Sequence, residues 1–263
     1  MVFINNISPE IFRAGELSLR WYGVFFALGI ALSYVFIRWV FKKEKFKVED
    51  LDSIAIYLFF GLLIGARLGE VLFYDPKFFF ANPSEILKTW HGGLSSHGAT
   101  IGLFVAYVLW TKIHKISFSK YVDALAMGIP ITAFFVRIGN FFNSEIVGYK
   151  MAEAGEKVFG VGVIFKKLGE DFPRHPAQLY EAFLLLIVFV SMLFVYKKWR
   201  KKISKLFFLF FFVGVYFLGR FFIEFYKDLH VLPESFPLSM GQVLSGVPII
   251  LAIIYFGFFC KKK

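Results

Sequence analysis

Seven long runs of mainly apolar residues alternate with short polar segments along the chain. Each run has about the 20 residues that an α-helix needs to cross the hydrocarbon core of a bilayer. We predict helices rather than strands, because an open sheet would leave backbone groups unpaired in lipid. The predicted spans are approximately Trp21–Val40, Ile54–Phe73, Gly93–Trp110, Ala124–Phe142, Ala177–Tyr196, Leu206–Phe225 and Val243–Phe259.

The composition agrees with a lipid environment, since 58% of the 263 residues are apolar and 21% are aromatic, including 38 Phe. We therefore expect an all-α membrane protein, a bundle of about seven transmembrane helices that forms one domain over residues 1–263. Its largest elaboration is a loop at about residues 143–176. Cys260 is the single cysteine, so any thiol chemistry would have to use a sulfur atom of the substrate.

The net charge of +11 is distributed according to topology rather than gathered into a patch for nucleic acid. Sixteen Lys and Arg residues occupy one alternating set of short segments, whereas ten are spread over the other, longer set. By the positive-inside rule, the N-terminus and the loop at about 143–176 face the periplasm and the C-terminus faces the cytoplasm. The basic set is Lys42, Lys43, Lys45, Lys47, Lys112, Lys115, Lys120, Lys197, Lys198, Arg200, Lys201, Lys202, Lys205 and Lys261–Lys263.

Four arginines fall inside the predicted spans, where an unpaired charge is costly. Arg38 lies at the cytoplasmic end of the first span, so its side chain can extend to the interface. Arg67 has Glu70 three residues further on, which is close enough for an ion pair along one helix face. We expect interfacial and structural roles for these two arginines.

Arg137 and Arg220 both lie in the outer half of the membrane, at matching positions in their spans. Each has a polar companion on its own helix face, Asn140 for Arg137 and Glu224 for Arg220. One interpretation is that these pairs neutralise one another and join helices. The alternative is a binding site for a phospholipid headgroup, because two guanidinium groups without an acid directly beside each one suit a phosphate.

His97 lies at the start of the third predicted span and therefore at about the depth of these two arginines. It is a candidate base near the candidate phosphate site, or else a residue that caps the helix. We expect no metal site, because the five histidines lack the i,i+4 spacing and the cysteine partners that zinc sites use. We also find no phosphate-binding P-loop, nucleophile elbow or dinucleotide-binding fingerprint in the sequence.

Five stretches resemble, in order and spacing, the signature blocks of the prolipoprotein diacylglyceryl transferase family. The resemblance covers essentially the whole chain, and the third stretch is the most specific. The stretches are Arg20–Gly23, His91–Gly98, Arg137–Gly148, Arg174–Glu181 and Tyr216–Phe225.

The resemblance implies a catalytic group and a lipid-binding group of residues. Lys227 stands where the family often has Arg, and we assign it no role. The implied catalytic residues are His97, Arg137, Arg220, Tyr216 and Glu145. The implied ligands of phosphatidylglycerol are Arg137, Arg220, Asn140, Gly148, Tyr22 and Glu224.

The reaction implied by the resemblance moves the diacylglyceryl group of phosphatidylglycerol to the thiol of the lipobox cysteine in the signal peptide of a prolipoprotein. It forms a thioether, releases glycerol phosphate and needs no cofactor. His97 is the candidate base, because a free thiol is only partly ionised near neutral pH. The implied location is the inner membrane of a bacterium, with the active site toward the periplasm.

Two other functions could also use arginines buried in a membrane, transport of an anionic lipid and transfer of another lipid phosphate. Buried arginines also line the paths of transporters, including those for anionic lipids, but transporters commonly show internal repeats, and we find none between the halves of the chain. A transferase acting on other lipid phosphates, such as polyprenyl phosphates, would normally need an acidic metal cluster. The sequence shows no such cluster.

Overall fold

The computed structural model describes residues 1–15, 17–89, 92–228 and 237–260. His91, at the start of one motif, and the basic tail Lys261–Lys263 lie outside these residues. The strands are β1 (Val2–Asn5), β2 (Glu10–Ala14), β3 (Leu17–Arg20) and β4 (Gly162–Phe165). The helices are α1 (Trp21–Lys43), α2 (Val48–Gly69), α3 (Pro76–Ala81), α4 (Ser96–Ile113), α5 (Val122–Phe142), α6 (Ala177–Trp199), α7 (Phe207–Ile223) and α8 (Met240–Ile254).

A helix occurs at each of the seven predicted positions, which confirms an all-α membrane protein. Six helices of the described chain are long and apolar enough to cross a membrane. The helix at the third position, α4, is not among these six, so the count of seven spans stays a prediction. Two helices run on in single π-helical turns, α2 through Glu70–Tyr74 and α8 through Tyr255–Phe259.

The chain folds into two compact units. The first, which we call the α5–α8 unit, comprises Met1–Ile37 and Val122–Lys263. In it α5, α6 and α7 contact one another, and α8 contacts α7. Asp123 at the start of α5 accepts hydrogen bonds from the main-chain N–H groups of Leu206 and Leu209, at 2.7 and 3.1 Å. This carboxylate satisfies donors that the first turn of α7 would otherwise leave unpaired in lipid.

Short strands and a half-buried arginine organise the segment between α5 and α6. Strand β1 pairs in parallel with β4, with Val2 opposite Gly162 and Asn5 opposite Phe165. Beside this pair, Arg174 hydrogen-bonds to Glu170 and Asp228 at 2.6 Å each. Hydrogen bonding to these two acids raises the pKa of Arg174 above its ordinary value. The segment is therefore an ordered layer on the ends of the helices.

The second unit, Arg38–Tyr121, is built around the contact between α2 and α4, and we call it the α2–α4 unit. Glycines at every fourth residue face each other across this contact. A β-carbon on Gly65 would lie 2.7 Å from the Gly102 Cα, and one on Gly69 would lie 2.7 Å from the Gly98 Cα. Small residues at this spacing let the backbones of two membrane helices approach closely.

We predict that Gly102→Ala destabilises the α2–α4 unit, because the added methyl group would overlap the main-chain carbonyl of Gly61. Overpacking of this kind costs about 1–3 kcal/mol. Gly246→Ala in α8 is the matched control, since beyond its chain neighbours and the backbone of its own helix no atom of the described residues lies within 4 Å of the methyl group it adds. Thermal unfolding in detergent should show a lower midpoint for Gly102→Ala alone; equal midpoints for the two variants would contradict the close approach.

Candidate functional site

The Glu181 carboxylate lies at the centre of the α5–α8 unit, one turn into α6, and is 0% exposed. One oxygen, Oε2, forms an ion pair with the Nε of Arg137 on α5. The other, Oε1, accepts a hydrogen bond from the Nζ of Lys227 at 2.7 Å. A buried carboxylate is stable only when such partners compensate its lost hydration. Glu181 thus joins α5, α6 and the segment after α7.

Lys227 extends this cluster to a second buried acid. Its Nζ lies 2.9 Å from the Oε2 of Glu224, in the short helical turn Glu224–Tyr226 that follows α7. Gly241, near the start of α8, contacts the Glu224 carboxylate so closely that a β-carbon there would overlap it. We refer to Arg137, Glu181, Lys227 and Glu224 as the charge chain.

Polar residues at the end of α5 and just after it extend the hydrogen-bond network beyond Arg137. The Nη1 of Arg137 lies 3.4 Å from the Oδ1 of Asn140, which confirms the companion expected from the sequence. The Nδ2 groups of Asn140 and Asn143 donate to the two oxygens of Glu145 at 3.2 and 3.1 Å. Gln178 on α6 donates to the main-chain carbonyl of Glu145. The carboxylate of Glu145 is thus oriented by two amides at the outer edge of the cluster.

Two tyrosines lie near Arg137, and a second arginine lies near Glu181. Tyr216 on α7 is buried and lies near the Arg137 guanidinium. Tyr22 on α1 packs against Gly139, where a β-carbon would lie 3.0 Å from its ring. Arg220 acts electrostatically on Glu181, but its buried Nε has no hydrogen-bond partner among the described residues. A buried donor without a partner is unusual and marks a position where a ligand can bind.

Gly148 lies where the loop after α5 meets the segment after α7. Its N–H donates to the carbonyl of His175 at 2.9 Å, and its backbone forms a bridge with Lys227. A β-carbon on Gly148 would lie 2.6 Å from both the carbonyl oxygen and the Cβ of His175. Because Gly148 has no side chain, its backbone can pair with that of Lys227, and this pairing places Lys227 next to its partners in the charge chain.

His97 belongs to the α2–α4 unit and lies in the first turn of α4. Its exposed ring forms a hydrogen bond between Nδ1 and the hydroxyl of Tyr74 at 2.8 Å. His97 is not the cap of the helix. That position belongs to Ser95, whose Oγ accepts from the N–H of Gly98 at 3.1 Å.

Three sequence-based expectations were wrong. Arg137 does have an acid directly beside it, Glu181 on the neighbouring helix. Glu224 pairs with Lys227, and no ion pair with Arg220 occurs within the described residues. Arg67 likewise does not pair with Glu70; it donates to main-chain carbonyls, including those of Ile86 and Gly92. For Arg137 the missed acid lies on another helix, and for Arg67 and Arg220 the acid that helical spacing suggested is not the partner.

Sequence reasoning missed Glu181 and Lys227 as members of the site. Glu181 was part of a motif without receiving a role, and Lys227 was set aside as a departure from the family pattern. The signal was nevertheless present, because an ionisable residue in an apolar helix is a functional candidate by default. What spacing could not show was the pairing between the two residues.

Comparisons with known proteins show which proteins this chain is similar to. The family model for prolipoprotein diacylglyceryl transferase matches residues 9–258. A phosphatidylglycerol–prolipoprotein diacylglyceryl transferase of Bacteroides fragilis is 38% identical over 98% of this chain and 95% of its own length. Enzymes of the same name from Tolumonas auensis and Wolbachia pipientis are 38% and 37% identical, over 94% and 96% of this chain and 93% and 95% of their own lengths.

We predict that Lys227→Met lowers stability strongly, because it leaves Glu224 without its cation and Glu181 with only one. Removing one partner of a buried ion pair costs about 3–5 kcal/mol. The matched control is Lys150→Met, which breaks an exposed pair with Glu153, worth at most about 1 kcal/mol. Thermal unfolding in detergent should separate the two variants. If both unfold at the wild-type midpoint, the charge chain is not a buried ion-pair network.

Proposed function

The chain belongs to the prolipoprotein diacylglyceryl transferase family, and on that premise we propose that Arg137, held by Glu181 of the charge chain, and Arg220 bind the phosphate of phosphatidylglycerol during transfer of the diacylglyceryl group. The acceptor is the thiol of a prolipoprotein's lipobox cysteine. The enzyme thereby performs the diacylglyceryl transfer step of bacterial lipoprotein maturation. The observation that carries the proposal is the buried Nε of Arg220, which has no partner among the described residues, together with an Arg137 already oriented by Glu181, the carboxylate on which both arginines act.

The chemistry of the transfer explains why these cations are needed. The cysteine sulfur forms a bond to a glyceryl carbon of the lipid, and the bond from that carbon to the phosphate oxygen breaks. The bonding electrons leave with glycerol phosphate, which gains negative charge in a site with little water. Fixed positive groups directed at developing charge stabilise the transition state most in such surroundings.

Arg137 and Arg220 play different parts in this proposal. Arg137 is held through its Nε by Glu181, so its orientation is set before the lipid arrives. Arg220 offers a donor that no described residue uses, so binding phosphate satisfies it. Together they form two guanidinium contacts to one headgroup, a geometry that matches phosphate oxygens.

The remaining residues are assigned by their contacts. Asn140 and Glu145 form the polar edge beside Arg137 and receive the glycerol headgroup. Tyr22 and Tyr216 line the Arg137 guanidinium, and Glu224 fixes Lys227 from the other side. Gly148 allows the backbone approach described above.

His97 takes the proton of the cysteine thiol in this proposal. Its ring offers Nε2 as the base if Nδ1 carries its own proton and donates it to the oxygen of Tyr74, an assignment of the tautomer that the 2.8 Å distance permits. The proton passes from sulfur to Nε2 as the thiolate attacks. General base catalysis of this kind contributes typically about 10²- to 10⁴-fold to a rate.

The proposed location is the bacterial inner membrane with the site toward the periplasm. The support is the positive-inside bias, together with a lipid substrate and a secreted protein substrate that meet on that side. The loop between α5 and α6 then faces the periplasm, and the segment between α6 and α7 faces the cytoplasm.

We predict that Arg137→Lys and Arg220→Lys both lose most activity although the charge is kept, because an ammonium cannot form paired planar contacts to phosphate. The expected loss is about 30- to 1,000-fold, or about 2–4 kcal/mol. Arg20→Lys is the control, since Arg20 lies on the surface with Glu10 at 3.7 Å.

The assay incubates purified protein with phosphatidylglycerol and a lipobox peptide, and mass spectrometry counts thioether product per correctly inserted molecule. A role limited to neutralising Glu181 predicts near-normal specific activity for Arg137→Lys. That result, or normal activity of Arg220→Lys, would remove the residue from the phosphate site. Wild-type protein that forms no thioether would refute the function itself.

Cysteine labelling tests the predicted orientation, in a variant whose native Cys260 is replaced by Ser. A cysteine placed at Lys157 should react with an impermeant reagent from the periplasmic side, and one placed at Lys201 should react only after the inner membrane is opened. The reverse order would show that the topology is inverted.

A further inference from the structure

Arg67 in α2 is almost completely buried, yet its partners are main-chain carbonyls rather than acids. Its Nε donates to the carbonyl of Ile86 at 2.9 Å, and its Nη1 donates to the carbonyls of Gly92 and Gly93 at 2.6 and 2.8 Å. Its Nη2 donates to the carbonyl of Lys88 at 3.2 Å and also to that of Glu85. All three guanidinium nitrogens are therefore engaged with one connecting segment.

This arrangement leaves Arg67 no free donor for a substrate and gives it a different use. A guanidinium carries donors in a rigid planar fork, so carbonyls bound to it are held in fixed directions. The ring of Phe79, 4.7 Å from the guanidinium carbon, stacks on the cation. Arg67 thus fixes the backbone of Glu85–Lys88 and of Gly92–Gly93.

The segment held by Arg67 leads directly into the first turn of α4, where His97 lies. The N–H of Ser95 donates to the carbonyl of Ala66, the neighbour of Arg67, at 3.0 Å. A β-carbon on Gly69 would lie 3.0 Å from the Cβ of Ser95, so this turn sits directly on α2. The entry to α4 is therefore anchored to the same turn of α2 that carries Arg67.

The hydrogen-bonding partner of His97 rests on the same helix. Tyr74 ends the π-helical turn Glu70–Tyr74 that continues α2 beyond Arg67. Its hydroxyl reaches His97 Nδ1 at 2.8 Å only while α4 begins at its present place. Both members of the pair therefore depend on how the connecting segment is held.

We propose that Arg67 is a positioning residue for His97. It acts through the backbone of Glu85–Lys88 and Gly92–Gly93 and not through contact with the substrate. This inference rests on the proposed role of His97 as the base. A misplacement of a reacting group by about 1 Å can reduce a rate about 10²-fold. Lys cannot replace Arg67, because one ammonium cannot reach carbonyls as far apart as those of Ile86 and Gly93.

The first test compares Arg67→Lys, His97→Gln and the double variant in the thioether assay, per correctly inserted molecule. Arg67→Lys should lower kcat about 10²-fold and change KM for phosphatidylglycerol less than about 3-fold. In the His97→Gln background the same substitution should add less than about 3-fold, because the group it positions is gone. Arg38→Lys, at an exposed position on α1, is the control and should behave as wild type.

A multiplied loss in the double variant would overturn the proposal, and so would a loss explained entirely by reduced protein in the membrane. A rise in KM without a fall in kcat would assign Arg67 to lipid binding instead.

The second test needs no activity and so separates this inference from the proposed function. Solid-state NMR of the protein with isotope-labelled histidine in bilayers compares the His97 ring with that of His114, which stacks on Trp110 at the other end of α4, with centroids 4.5 Å apart. Arg67→Lys should shift and broaden the His97 signals and leave those of His114 unchanged. Unchanged His97 signals would overturn the positioning role even in a fully active enzyme.

Discussion

The Glu181 carboxylate is the interaction on which the rest of the α5–α8 unit depends. It is fully buried in an apolar surrounding, where a lone carboxylate would lose several kcal/mol of hydration free energy. Its two oxygens therefore require two cations, and the chain supplies them from different places, Arg137 on α5 and Lys227 after α7. The need to compensate one charge brings three parts of the sequence to one point.

This constraint also organises the proposed function. A phosphate site in a membrane needs cations that stay in position when no ligand is bound, and buried acids provide that. Glu181 pairs with Arg137, and both Glu181 and Glu224 pair with Lys227. These ion pairs keep the two cationic side chains from turning outward toward water. Arg220 differs, since its Nε has no partner within the described residues, and we therefore assign it to the lipid headgroup in the proposed function.

Much of the fold could be predicted from the sequence because the bilayer restricts the possible structures. Runs of apolar residues at Trp21, Ala177 and Leu206 had to be helices, and the observed helices begin within a residue of those positions. Arg137 and Asn140 could be linked because they share one helix face. Predictions based on local spacing succeeded where the contact itself was local.

The contacts that sequence reasoning missed join residues far apart in the chain. The ion pair between Glu181 and Lys227 spans 46 residues, and the bond from Arg67 to the Gly93 carbonyl spans 26. Helical spacing favoured Glu70 and Glu224 as partners, but the burial of other groups decided the pairing. The glycines of α2 and α4 were readable as a close-packing motif and would have indicated that contact.

The central claim is that a phospholipid phosphate binds at Arg220, beside the cations that Glu181 and Glu224 hold in place. The most direct test is native mass spectrometry of the protein purified from bilayers that contain phosphatidylglycerol, for wild type, Arg220→Met and Arg38→Met. Removing Arg220 leaves no described acid without its ion-pair partner, so the fold should survive. We expect wild type and Arg38→Met to retain phosphatidylglycerol and Arg220→Met to lose it. Equal retention by all three proteins would contradict the account.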